Sequence, residues 1–258
     1  MSFETVLVLF LIGFVGSFVS GLVGIGGSVI KYPLLLYVPP LLGLAAYSAH
    51  EVSGISAVQV FFATLAGTLA LRNEKVLNYR LVLYMGTAIV IGSFLGAYGG
   101  RYLSGDAVNL VYGVLATIAA VMMFVPRKGV LECSSAEVTF NRWLAAGAAF
   151  VVGIASGIVG AAGAFLLVPI MLTVLKIPTR VAIASSLAIT FLSSIGSATG
   201  KLLAGDVLFL PALVMVVASV IAAPIGAKLS KRLTPKYLQA LLAVLILGTA
   251  IKIWIDIL

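Results

Sequence analysis

The chain of 258 residues is 62% hydrophobic and only 9% charged, with a mean hydropathy of +1.23. A water-soluble domain carries about a quarter of its residues as charges, so a soluble enzyme or binding domain is excluded and an all-α polytopic membrane protein is expected. The net charge of +8 would suit a nucleic acid, but basic residues of a membrane protein collect in cytoplasmic loops. The expected partner is therefore the lipid bilayer of the cytoplasmic membrane, with no nucleic acid.

The first apolar run, about 5–24, carries Glu4 in place of a basic lead and lacks a small-residue cleavage pattern. It reads as a retained first span rather than a signal peptide. A short segment at 28–42 follows, then spans at 48–71, 79–102 and 106–125. A polar connection near 126–142 separates these from segments at 142–160, 164–176 (short), 180–203, 206–229 and 235–255. The single cysteine, Cys133, excludes an internal disulfide.

Three blocks recur in order. "SGLVGIGGSVIKYP" (20–33) matches "SGIVGAAGAFLLVP" (156–169) at an offset of 136 without a gap. "SGISAVQVFFATLAG" (53–67) matches "SLAITFLSSIGSATG" (186–200) at 133, and 96–115 matches 226–245 at 130. The chain is a duplication: a first transmembrane repeat over 1–126, a cytoplasmic linker over 127–141 and a second repeat over 142–258.

If all ten segments cross, loops on one side carry thirteen of the sixteen basic residues; if the short ones do not, the division is eight to eight. The positive-inside rule favours ten crossings with both termini outside the cytoplasm. Five crossings per repeat makes the two repeats inverted, the usual construction of secondary transporters.

The glycines of 21–27 admit three readings. A dinucleotide-binding turn needs a soluble βαβ unit that this chain does not offer. Close helix packing through small residues remains a serious alternative. A broken helix accounts for more: the glycines lie where a long span meets a short one, in both repeats, with a proline six residues after the last glycine. Freed backbone N–H groups and the N-terminus of the following half-helix then form an anion site. Ser20, Gly24, Gly26, Gly27, Ser28, Ser156, Gly160 and Gly163 are its expected residues.

The paired "SGLVGIGG" and "SGIVGAAG" segments, each followed by a proline, and "ASSLAITFLSSIGSATG" resemble the sulfite exporter TauE/SafE family of membrane transporters. The resemblance covers essentially the whole chain. It implies movement of sulfite or a small organosulfur or sulfonate anion, generally as export. Ala161 and Ala162 replace Ile25 and Gly26 of the first repeat, so the two halves need not contribute equally.

Ser186, Thr190, Ser193, Ser197 and Gly200 follow one another in steps of four and three, which puts them on one helical face. Ser53, Ala57, Val60, Thr64 and Gly67 repeat that stripe with less polarity. Ser53, Thr64, Ser186, Thr190, Ser193 and Ser197 are expected to line a polar path, with small-residue packing as the alternative. His50, Glu51 and Gln59 are the candidate coupling residues, although an interfacial position explains His50 and Glu51 too. Lys31 and Lys176 are expected at the cytoplasmic mouth, attracting an anion or snorkelling to headgroups.

There is no H-E-x-x-H and no P-loop pattern, and one His with one Cys cannot build an ordinary zinc site. No enzyme activity, cofactor or metal is therefore expected. The reading is a secondary transporter for a small anionic substrate, exporting it by alternating access. A passive pore for small anions or solutes is the alternative, then a non-transporting scaffold; a homo-oligomer stays open.

Overall fold

A computed structural model of the protein describes residues 1–23, 28–71, 77–124, 140–161 and 163–230, with scattered residues from 232 to 255. Nine α-helices and no strand occur among these. The first five are α1 (Phe3–Val23), α2 (Ser28–Leu41), α3 (Ala49–Leu71), α4 (Tyr79–Gly99, continued by a 3-10 turn to Tyr102) and α5 (Gly105–Phe124). They are followed by α6 (Arg142–Val159), α7 (Ala164–Thr173), α8 (Thr179–Ala204) and α9 (Phe209–Ser230). Seven of them, all but α2 and α7, are long and apolar enough to cross a bilayer. The expected linker lies almost wholly outside the described residues, and the expected tenth segment is described only at scattered helical positions.

Polar residues at the ends set the boundaries of several helices. Asn78 caps α4 by accepting from Leu81 N, and Asn141 caps α6 by accepting from Trp143 N and Leu144 N. At α3, Glu51 accepts from the backbone N and the Oγ of Ser48, while Glu51 N donates back to Ser48 Oγ, a reciprocal capping box. Gly205 closes α8 in the left-handed region, where glycine carries no Cβ penalty.

The outer surface is apolar. Leu7, Leu11 and Val15 form an exposed row on α1, and Leu213, Val217 and Ile221 one on α9. Such faces suit lipid, not water.

Glycines bring the helix backbones together. Gly13 and Gly21 of α1 lie against Met215 and Ala223 of α9, so these two helices run parallel. Gly92 and Gly96 of α4 meet Phe150 and Ile154 of α6, again in parallel. Gly86 against Leu192, with Gly200 against Ala97, makes α4 parallel to α8. In contrast, α3 and α8 are antiparallel: Gly54 abuts Asp206, the Phe61 and Phe191 rings lie 5.5 Å apart, and Gly67 abuts Leu187. Gly54 also nears Val207, just ahead of α9, and Gln59 bonds Ser219, so α3 runs with α9.

The pairing is reciprocal between the halves. α1 packs on α9 as α6 packs on α4, and α3 packs on α9 as α8 packs on α4. The antiparallel pair α3 and α8 forms the centre of this arrangement.

Candidate functional site

The break between α6 and α7 is built from two glycines. Gly160 ends α6 at φ 74°, its N–H reaching Gly157 O while Ala161 N reaches Ser156 O at 2.9 Å. This pair of bonds satisfies carbonyls that the last turn would leave open. Gly163 then starts α7 at φ 72° with no side-chain cap. A Cβ at Gly160 would lie 2.0 Å from the carbonyl oxygen of Ser53, so α3 presses directly on the break. A Cβ at Gly163 would lie 3.2 Å from Ser156 Oγ. The fold thus brings together four of the expected site residues: Ser53, Ser156, Gly160 and Gly163. Gly24, Gly26 and Gly27 lie outside the described residues; of Ser28 only the backbone, at the start of α2, is described.

The stripe on α8 and its counterpart on α3 point into the protein: Ser53, Thr64, Ser186, Thr190, Ser193 and Ser197 are all fully buried. Their hydroxyls divide into two groups. Ser53, Thr64 and Ser186 donate to carbonyls three or four residues back (His50, Val60 and Ile183), and Ser156 does likewise to Val152. The hydroxyls of Thr190, Ser193 and Ser197, together with that of Ser20 on α1, are buried without a hydrogen-bonding partner among the described residues. A buried hydroxyl left unbonded costs free energy comparable to a lost hydrogen bond. Part of the stripe also packs helices: Ser193 O accepts from Ser93 Oγ at 2.7 Å, and a Cβ on Gly200 would meet Ala97 Cβ at 2.7 Å.

The candidate coupling residues occupy three different settings. Glu51 is engaged in the cap of α3. Gln59 joins three helices: its Nε2 donates to Ser17 Oγ at 2.7 Å and to Ser219 Oγ, and Ser17 Oγ donates to Ser219 Oγ at 2.7 Å. Its Oε1 is buried without a partner among the described residues. The equivalent positions of the other repeat are Leu192, Gly153 and Ile89, so the polar knot exists on one side only. His50 Nε2 donates to Leu103 O at 3.1 Å, and its Nδ1 lies 3.8 Å from Asp206 Oδ2. Asp206 in turn pairs with the buried Lys201 at 2.9 Å. Neither Asp206 nor Lys201 stands out in the sequence, because their pairing depends on the turn that Gly205 makes.

Lys31 requires a correction. A lysine three residues into a short segment reads as a mouth or headgroup residue, and Lys176, three residues beyond α7, is exposed. Lys31 is fully buried, its stem laid against Gly16 of α1. The absence of a side chain at Gly16 opens the slot that admits it.

These features define a polytopic helical membrane protein, with a glycine-made helix break and buried polar groups that have no partner among the described residues. The chain belongs to the sulfite exporter TauE/SafE family, whose description, "Sulfite exporter TauE/SafE", matches residues 9–253. Among its relatives, the probable membrane transporter protein YunE of Bacillus subtilis (strain 168) is 25% identical, over 96% of this chain and 95% of its own. A probable membrane transporter protein of Xylella fastidiosa (strain 9a5c) is 31% identical over 68% of this chain and 65% of its own. The probable membrane transporter protein MJ0441 of Methanocaldococcus jannaschii is 24% identical over 94% of both. No solved structure matches the chain.

Proposed function

We propose that the protein is a secondary transporter that carries a small oxyanion, sulfite or a small sulfonate, out of the cell by alternating access. The observation that carries the reading is the α6–α7 break, held against Ser53 and set in a bundle whose Ser20, Thr190, Ser193 and Ser197 hydroxyls have no described partner. Backbone N–H groups at such a break, with hydroxyl donors nearby, suit an anion without requiring a charged side chain at every contact. The family's description supplies the substrate class.

The helix directions support two inverted repeats: α1, α3 and α9 run one way and their repeat counterparts α6, α8 and α4 the other. Exchanging the conformations of two such halves exchanges the side to which a site between them opens. Purified protein in vesicles loaded with labelled sulfite tests the function. Saturable efflux, accelerated by sulfite on the opposite side, is expected of a carrier. Flux that rises linearly with concentration, without counter-transport, would replace this reading with a passive pore.

A further inference from the structure

We propose that Lys31 is the fixed positive charge of the anion site, lying inside the bundle and not at its mouth. The inference rests on the anion-transport reading and adds the residue that meets the substrate's negative charge.

Lys31 is 0% exposed, and its Nζ has no hydrogen-bonding or ionic partner among the described residues. Of the described carboxylates, Glu4 and Asp106 are exposed, Glu51 is held by Ser48 and Asp206 by Lys201. An ammonium taken out of water without a counter-charge is among the most costly arrangements a fold can hold, and an apolar residue of similar size would be better tolerated. The second repeat carries that apolar solution. Lys31 and Gly16 correspond to Leu167 and Val152, both buried. Where the second half carries a leucine and a valine at these buried positions, the first packs a lysine against a glycine. A Cβ on Gly16 would lie 2.1 Å from Lys31 Cγ and 2.6 Å from its Cδ, so the small residue is what makes room for the long one. Ser20, one turn along α1 from Gly16, adds a buried hydroxyl that also lacks a partner among the described residues. A small oxyanion answers both deficits: its charge pairs the ammonium and its oxygens accept from N–H and O–H donors.

The test uses purified full-length protein in detergent, with sodium sulfite and sodium methanesulfonate as separate probes. Wild type is expected to bind at least one of them saturably and to unfold at a higher temperature when it is present. Lys31→Met and the double variant Gly16→Val/Lys31→Leu, which copies the pair at 152 and 167, should bind that anion at least tenfold more weakly. Their unfolding temperatures without anion should equal or exceed that of wild type, since a buried charge with no described partner has been removed. The double variant keeps the test decisive should Lys31→Met fail to fold, because the second repeat already buries those two residue types at the equivalent positions. Anion affinity within twofold of wild type in either folded variant would overturn the role of Lys31 and leave the transport reading intact. A lower unfolding temperature for both, with affinity kept, would make Lys31 a structural residue. Failure of wild type to bind either anion would overturn both proposals.

Discussion

Gly21 of α1 stands so close to Ala223 of α9 that a Cβ added to it would lie 2.1 Å from the Ala223 carbonyl oxygen. Gly157 stands in the same relation to Ser93, at 2.3 Å, and these are the repeat-equivalent positions of the pair. Gly226 against Phe18 and Gly96 against Ile154 form a second equivalent set, at 2.0 and 1.9 Å. Two interfaces of one design hold the halves together, each by backbone against backbone.

Because the opposing atoms are backbone, no rotamer change can relieve a new methyl. Gly21→Ala and Gly157→Ala should each destabilise by about 1–3 kcal/mol. Gly147→Ala is the control: nothing lies within 4 Å of its Cβ position, so the change should be neutral or stabilise by up to about 1 kcal/mol. Unfolding temperatures of the three purified variants check this. Equal losses in all three would show that glycine content rather than close approach matters.

Much of this fold is legible from apolar run lengths and breakers. The expected segment 180–203 is α8 at Thr179–Ala204, and the expected 79–102 is α4 with its 3-10 turn. The stripe on α8 is equally legible, since steps of four and three fix one face whatever that face meets. What those hydroxyls bond is not, because donating to the preceding turn is a rotamer choice that leaves no trace in the residue type. The burial of Lys31 is hidden for a different reason: it depends on Gly16, fifteen positions earlier, being empty at the right height. The Gln59, Ser17 and Ser219 knot joins residues 42 and 160 positions apart that are unremarkable singly.

The proposed inverted arrangement has a direct test in labelling. With Cys133 replaced by serine, single cysteines at Ala46, Trp143 and Arg232 should divide by side. The Ala46 position should react with an impermeant maleimide from outside intact cells, and the Trp143 and Arg232 positions only after the cells are opened. Reaction of Ala46 and Arg232 from the same side would remove the ten-crossing topology.

The α8 hydroxyls without a described partner separate binding from packing. Leucine at Thr190 or Ser193 would overfill a buried site, so Thr190→Val and Ser193→Ala are the cleaner probes. Neither side-chain hydroxyl has a described partner to lose, so unfolding temperature should be kept or rise slightly. Sulfite efflux should fall several-fold if those hydroxyls meet the substrate. Unchanged efflux at normal protein levels would assign them to packing.

The two glycines of the α6–α7 break should respond differently to the same exchange. At Gly160 the added Cβ meets the Ser53 carbonyl oxygen, a backbone atom that can yield only if α3 moves. Gly160→Ala should therefore fail to accumulate in the membrane. At Gly163 the Cβ meets Ile89 Cδ1 at 2.9 Å and Val152 Cγ1 at 3.0 Å, both ends of side chains that can rotate. The left-handed φ of 72° remains and costs alanine roughly 1–2 kcal/mol. Gly163→Ala should thus fold with a lowered unfolding temperature. If the first N–H groups of α7 serve the anion, relaxing that φ reorients them, and sulfite affinity should drop by about tenfold, equivalent to roughly 1.4 kcal/mol. Affinity within twofold of wild type in the folded variant would reduce Gly163 to a turn residue and move the anion site elsewhere in the bundle.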